Sequence, residues 1–240
     1  MLFRPFAGIP QRLAGLVAHL PSQCAVCHAW PAQRVCNACV ARFAQPQARC
    51  QRCAMGVPEG VTVCGACLRA PPPVDTCLAA VDYGYPWSDA LGDFKFHGDP
   101  GWAGTLATLL RSTPWVEPAL EAADRVIPIP LSAQRLRERG FNQAALLAQH
   151  VARTKTDTQS LLRLRTTEAQ SRLDRAQRLA NLREAFAIEP AQLRGLCGLR
   201  VVLIDDVMTT GATLHAAAHA LREAGVAHIT GLVVARTALP

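Results

Sequence analysis

The sequence predicts an α/β protein: a parallel sheet with flanking helices, preceded by a small cysteine-rich metal-binding module. Three observations carry this. Eight of the ten cysteines fall in four C-x-x-C pairs before residue 70. Aliphatic runs alternate with helical patterns over the rest of the chain. The stiff stretch "APPPVD" at 70–75 separates the two regions. The expected organisation is an N-terminal helix at 1–23, a double zinc ribbon at 24–69, a proline-rich linker at 70–75 and the α/β domain at 76–240.

In the N-terminal segment, Leu13, Leu16, Val17 and Leu20 recur at i, i+3, i+4, i+7, which predicts a short amphipathic helix packing on the body. Arg4, Pro5, Pro10, Gln11 and Arg12 interrupt its apolar character, so neither a secretory leader nor a membrane span is expected. The expected location is cytoplasmic.

The cysteine pairs follow: Cys24/Cys27, Cys36/Cys39, Cys50/Cys53 and Cys64/Cys67. Each pair can place two thiolates on one tetrahedral ion, so four such knuckles predict two structural zinc ions. A segment this short with few large apolar side chains cannot bury enough surface to fold alone, which is why metal must contribute the stability. Sequential pairing closes the shorter loops and is expected; interleaved pairing is the other arrangement. Disulfides would need an oxidising compartment. "CAVCH" also fits covalent haem attachment, but the other three pairs lack the following histidine. Cys77 and Cys197 stand outside the pattern and are expected to be small buried hydrophobes.

Downstream, a strand is expected near Leu78 to Tyr83, then helices over Trp87 to Phe96 and Trp102 to Arg111. A strand "RVIPIP" at 125–130 and a helix from about Phe141 to Arg153 come next, followed by a polar, basic stretch to Glu184. The strand "RVVLID" at 200–205, a helix from Ala212 to Ala224 closed by Gly225, and the strand "HITGLVVAR" complete the pattern. The net charge of +7 concentrates in the middle of the chain, and all basic residues except Lys95 and Lys155 are arginine. Arginine suits bidentate phosphate contacts, although a compositional bias would give the same count.

The stretch "VVLIDDVMTTGATL" at 201–214 carries the chemistry. Its aliphatic residues suit a central strand buried on both faces, and ligands in such sheets bind beyond the carboxyl ends of the strands. Asp205 and Asp206 sit at that end. Both can serve one ligand only if the chain leaves the strand there. The following loop offers the Thr209, Thr210 and Thr213 hydroxyls, the Gly211 and Ala212 backbone and a helix N-terminus, a combination that favours phosphate. Carboxylates at one end and a phosphate nest at the other fit a sugar phosphate, with or without magnesium. A Walker B reading fails because neither lysine follows a glycine.

This stretch resembles the phosphoribosyl-pyrophosphate (PRPP) motif of type I phosphoribosyltransferases. The resemblance implies that Asp205 and Asp206 hold the ribose hydroxyls and that Thr209 to Thr213 hold the 5-phosphate. Together with the four cysteine pairs, "KFHGD" at 95–99, "PIPLSAQRLRERGFNQA" at 128–144 and "RTTEAQSRLDRAQRLANLREAF" at 165–186 are similar to the ComF family of competence-associated proteins. Over nearly the whole chain, that resemblance implies a type I phosphoribosyltransferase-like fold behind a double zinc ribbon. It also implies PRPP held with Mg2+. Arg135, Arg139 and Asn142 would meet the pyrophosphate, and Gln170, Arg178 and Asn181 would lie in a loop able to close over ligand. Lys95 and His97 have a similar standing, whereas His215 and His219, at i, i+4, lack a third metal ligand. The implied setting is DNA uptake, with single-stranded DNA and a helicase-like protein as partners. Two function classes follow: a phosphoribosyltransferase with an unidentified acceptor and no assigned catalytic residue, or a non-catalytic PRPP-sensing or DNA-binding factor on the same fold.

Overall fold

The computed structural model describes residues 22–164 and 185–238. The chain forms two compact units, Met1–Arg42 and Phe43–Pro240. The expected N-terminal helix, and Gln170, Arg178 and Asn181, lie outside the described residues.

Both cysteine sets are built alike. In the first, Cys24 and Cys27 form a tight knuckle: the His28 N–H bonds Cys24 O at 2.9 Å and His28 takes a positive φ of 60°. In the second, Ala54 N–H bonds Cys50 O at 2.8 Å, with φ 56° at Ala54. Cys36 and Cys64 then lead directly into short helices, α1 (Asn37–Phe43) and α2 (Gly65–Arg69). Each set is therefore one knuckle and one helix start rather than two knuckles. The i, i+3 spacing within a helical turn aims both sulfurs of the second pair the same way.

The Phe43–Pro240 unit is organised by a four-stranded parallel sheet of β1 (Thr76–Asp82), β2 (Arg125–Pro128), β5 (Arg200–Met208) and β6 (His228–Arg236). Its spatial order is β1-β6-β5-β2. Val201 to Ile204 on β5 are each at most 1% exposed, as a strand covered on both faces requires. One face carries α3 (Trp87–Phe96), α4 (Trp102–Arg111), α5 (Val116–Ala122) and α7 (Gln143–Ala152), with α4 and α7 packed together. Opposite lie α8 (Ala212–Glu223) and the antiparallel ribbon β3 (Leu161–Arg163) and β4 (Phe186–Ile188). The same buried cluster takes in Cys50, Cys53, Ala54 and Cys67 together with Cys77, Met208 and Leu214.

The expected helices at 87–96 and 102–111 and the final strand stand where the sequence places them. Three features differ. Strand β5 continues beyond Asp205 to Met208. Residues between the expected strand at 125–130 and the helix from about Phe141 form α6 (Ala133–Arg139), whose Ser132 cap accepts the Arg135 N–H at 3.3 Å and which ends at Gly140 with φ 79°. Cys77 is buried as expected, but Cys197 is exposed, because Leu196 takes the buried position and the chain turns outward after it. Among the described residues, no helix is long and apolar enough to cross a membrane.

Candidate functional site

The site forms at the carboxyl end of β5, where the strand passes into the loop before α8. Gly211 is the hinge of that loop. Its φ of 83° is open to glycine, and an added Cβ would stand 2.5 Å from Met208 Cε and 2.9 Å from His215 Cε1. Met208 and His215 thus pack the loop from behind. Burial, then His219 and Arg236, pull the His215 imidazole down to about 4, so it is neutral at pH 7. Its Nε2 is buried without a hydrogen-bond partner among the described residues. Asp205, Thr209, Gly211, Ala212 and Thr213 line one small pocket. Thr210 lies beside it, its hydroxyl accepting the Ala212 N–H at 3.3 Å.

Because β5 runs on to Met208, the two aspartates leave the backbone on opposite sides. Asp206 is buried and pairs with Lys95 of α3, with Nζ to Oδ1 at 2.8 Å. Asp205 folds back, accepting the Asp206 N–H on Oδ1 at 2.8 Å. Burial and then the Asp206 charge raise the Asp205 carboxyl to about 7, against the opposing pull of the Asp206 N–H and Lys95. The aspartates remain electrostatically one unit although they serve different faces.

Besides Lys95, a second cation acts on this pair. Burial lowers the Arg163 guanidinium on β3, Arg135 lowers it further, and Asp205 opposes both, so its charge is within reach of the two groups. Arg163 also donates to Pro130 O at 3.4 Å and stands over the Phe186 ring. Arg139 lies over the Phe96 ring, 5.2 Å from its centroid, and donates to Gln143 Oε1 at 3.1 Å. Asn142 is occupied locally: its Oδ1 accepts the Ala145 N–H at 3.2 Å as the cap of α7, and its Nδ2 donates to Ile129 O at 3.1 Å. His97 pairs with Asp93 on the exposed end of α3.

The cysteines meet in two sets, Cys24/Cys27/Cys36/Cys39 and Cys50/Cys53/Cys64/Cys67, with all sulfurs of a set within 4.8 Å of one another. This is the sequential pairing. Separations of 3.9 Å for Cys24–Cys39, 3.6 Å for Cys27–Cys36 and 3.7 Å for Cys53–Cys64 match the sulfur–sulfur edge of about 3.8 Å for a tetrahedron with metal–sulfur bonds of about 2.3 Å. The Cys36 and Cys64 N–H groups each donate to a sulfur, on Cys24 and Cys50, at 3.3 Å. Burial raises the Cys24 thiol, but backbone N–H groups of Cys27, Cys36 and Val26 outweigh it and bring it down to about 6. The sulfur geometry fits a tetrahedral metal in each set, while burial and the neighbouring sulfurs push the Cys39 thiol up to about 12 and the Cys53 thiol up to about 11.

Residues 142–238 match the family model described as a phosphoribosyl transferase domain. The chain is 34% identical over 215 residues to the DNA utilization protein YhgH of Salmonella typhimurium, covering 85% of this chain and 90% of that one. Competence protein ComFC of Bacillus subtilis is 34% identical, with 82% of this chain and 81% of that one covered. The chain belongs to the ComF family. Competence protein F of Haemophilus influenzae is 33% identical, with 75% and 81% covered. Within this ComF chain, sequence reasoning left Arg163 and Arg236 without a role and Lys95 without a partner. Lys95 carried the fuller signal, since the chain has only one other lysine. Arg236 ends an apolar strand, where nothing in the pattern distinguishes a buried arginine from a solvated one.

Proposed function

We propose that this ComF chain binds PRPP with Mg2+ at the carboxyl end of β5 as a phosphoribosyltransferase-type site. The observation that carries the reading is the pocket of Asp205, Thr209, Gly211, Ala212 and Thr213, which joins a carboxylate to a loop of hydroxyls and amides. The loop and the first turn of α8 receive the 5-phosphate, favoured by free N–H groups and the helix dipole. Asp205, which lines the pocket, holds the ribose hydroxyls, while Asp206, on the other side of the strand, is held by Lys95 and acts on the ligand end through its charge on Asp205. Arg135, Arg139 and Arg163 supply positive charge for the pyrophosphate end, and Lys95 balances Asp206. Mg2+ bound with the ligand would neutralise pyrophosphate charge. If transfer occurs, the chain contributes mainly positioning and stabilisation of the departing pyrophosphate.

Isothermal calorimetry tests this: wild type should bind PRPP only with Mg2+, and Asp205→Asn/Asp206→Asn should lose binding by at least about 100-fold, as removal of charged hydrogen bonds implies. Absence of wild-type binding would sink the reading. The two cysteine sets are proposed as structural zinc sites, for which elemental analysis should find two zinc per chain.

The relatives' names, competence and DNA utilization, favour a second reading in which the same site senses PRPP for a DNA-handling protein. The exposed Phe96 under Arg139 is consistent with it, since a base can stack on such a pair. Pyrophosphate release on adding a metabolite extract supports the transferase. Binding without turnover supports the sensor.

A further inference from the structure

Arg236 closes β6 and is only 2% exposed. Its Nε donates to Cys53 O at 2.9 Å. Its Nη1 faces the carbonyls of Thr237 at 2.8 Å, Met208 at 3.1 Å and Thr209. One buried guanidinium therefore joins the second cysteine set to the first residues of the phosphate loop. Four carbonyls fix it, and each carbonyl is fixed by it in turn. Two further contacts run in parallel: the Cys77 N–H bonds Gln51 O at 2.7 Å, and Cys77 Sγ lies 3.6 Å from Met208 Sδ. Met208 is the side chain that backs Gly211.

The Cys53 carbonyl belongs to the knuckle turn, whose shape depends on Cys50 and Cys53 being drawn to one centre with Cys64 and Cys67. Backbone bonds from Cys50 N–H to Met55 O at 2.7 Å and Gln51 N–H to Thr62 O at 2.9 Å, with Arg49 donating to Ala54 O at 3.0 Å, hold the turn on its outer side, and the position of the Cys53 carbonyl is set by the cysteines that flank it. A tetrahedral ion there would lock the carbonyl in place. Were the turn to relax without one, Cys53 O would leave Arg236 and a buried donor would lose its partner beside the loop.

We propose that the second cysteine set, acting through Arg236, braces the phosphate loop, so that metal at Cys50, Cys53, Cys64 and Cys67 is required for the loop's ligand-binding shape while metal at the first set is not. Arg236 is a positioning residue: it touches the loop backbone from behind. None of its bonds above reaches the first set. The coupling would make ligand binding at this site respond to metal loss or thiol oxidation within one cluster. The effect on PRPP rests on the reading above; the effect on the loop does not.

The test uses full-length protein in four forms: wild type, Cys67→Ser, Cys27→Ser and Arg236→Lys. Bound metal is counted by elemental analysis, exchange of the loop amides at 209–213 is followed by hydrogen–deuterium exchange without ligand, and PRPP affinity is measured with Mg2+. Cys67→Ser should lose one metal, speed loop exchange by at least about tenfold and weaken PRPP binding by a similar factor. Cys27→Ser should lose one metal and leave both readouts within about twofold of wild type. Arg236→Lys keeps the charge but loses the fork, so it should retain both metals while its loop exchanges faster. Loop protection equal to wild type in Arg236→Lys overturns the proposal, as does equal loosening by Cys27→Ser. Should Cys67→Ser unfold throughout, Arg236→Lys decides alone. Wild type that fails to bind PRPP defeats the ligand reading, and the exchange result still judges the brace.

Discussion

At the residue scale, Asp205 and Asp206 share one electrostatic problem and solve it differently. Asp206 is neutralised by Lys95, with side chains 9% and 17% exposed. Truncating Lys95 leaves a buried charge without its partner, which costs about 3–5 kcal/mol. Lys95→Met should therefore melt well below wild type, and adding Asp206→Asn should recover most of the loss in a double-mutant cycle followed by thermal denaturation. Among the described residues Asp205 makes no such ion pair, and its carboxyl is raised from 3.8 to about 7 by burial and by Asp206. A carboxyl raised on folding favours the fold in its protonated form. That contribution is complete below the unfolded value and is lost as pH rises through about 7. Asp205→Asn should thus raise the melting temperature of the ligand-free protein most above pH 7, by roughly 2–4 °C for each kcal/mol recovered, with the gain shrinking as pH falls toward the unfolded value of 3.8. A melting curve lowered at pH 8 would refute this account. Stability given up at Asp205 is what leaves a carboxylate available to a ligand.

At the element scale, legibility followed the strength of the periodic signal. Helices α3 and α4 and strand β6 were readable because each buries a continuous apolar stripe or run, such as Trp102, Leu106, Leu109 and Leu110 on α4. Helix α6 was not, because it buries no residue and leaves no stripe; only Ser132 before it and Gly140 after it mark its ends. Helix α5 was hidden by Pro118, which a first helical turn tolerates. The three-residue strands β3 and β4 are too short for alternation to register. For the candidate site, the sequence singled out the loop and both aspartates, but not that Asp206 would turn to Lys95, since the two lie 111 positions apart in a sequence of 240. Asn142 illustrates a residue whose type admits two roles. Its side chain caps α7, so Asn142→Ala should cost about 1 kcal/mol in chemical denaturation. PRPP affinity within about twofold of wild type in that variant would mark the cap as its whole contribution.

At the scale of the whole molecule, the second cysteine set belongs physically to the unit that holds the sheet. Cys50, Cys53, Ala54 and Cys67 share a core with Cys77, Met208 and Leu214, and the backbone of Gln51 and Cys53 is hydrogen-bonded to Cys77 and Arg236. Arg49 and Gln47 add bonds of 2.9 Å and 2.7 Å to Asp82 at the end of β1. Proline-rich composition at 70–75 suggests a linker, yet Val74 is 1% exposed, and Asp75 accepts the Ile229 N–H and pairs with Arg222. Cutting the chain there would strip the covering from β1 and leave Cys77, Ala79 and the back of the phosphate loop facing water. Cutting it at the division between the compact units removes no part of that core. A chain of residues 43–240 should therefore express in soluble form, bind one metal and melt cooperatively. A chain of residues 76–240 should aggregate or lose its cooperative transition, as measured by calorimetric scanning of both. Cooperative melting of the shorter chain would show that the sheet unit is complete without the second cysteine set, and that the set is an appendage rather than part of the core.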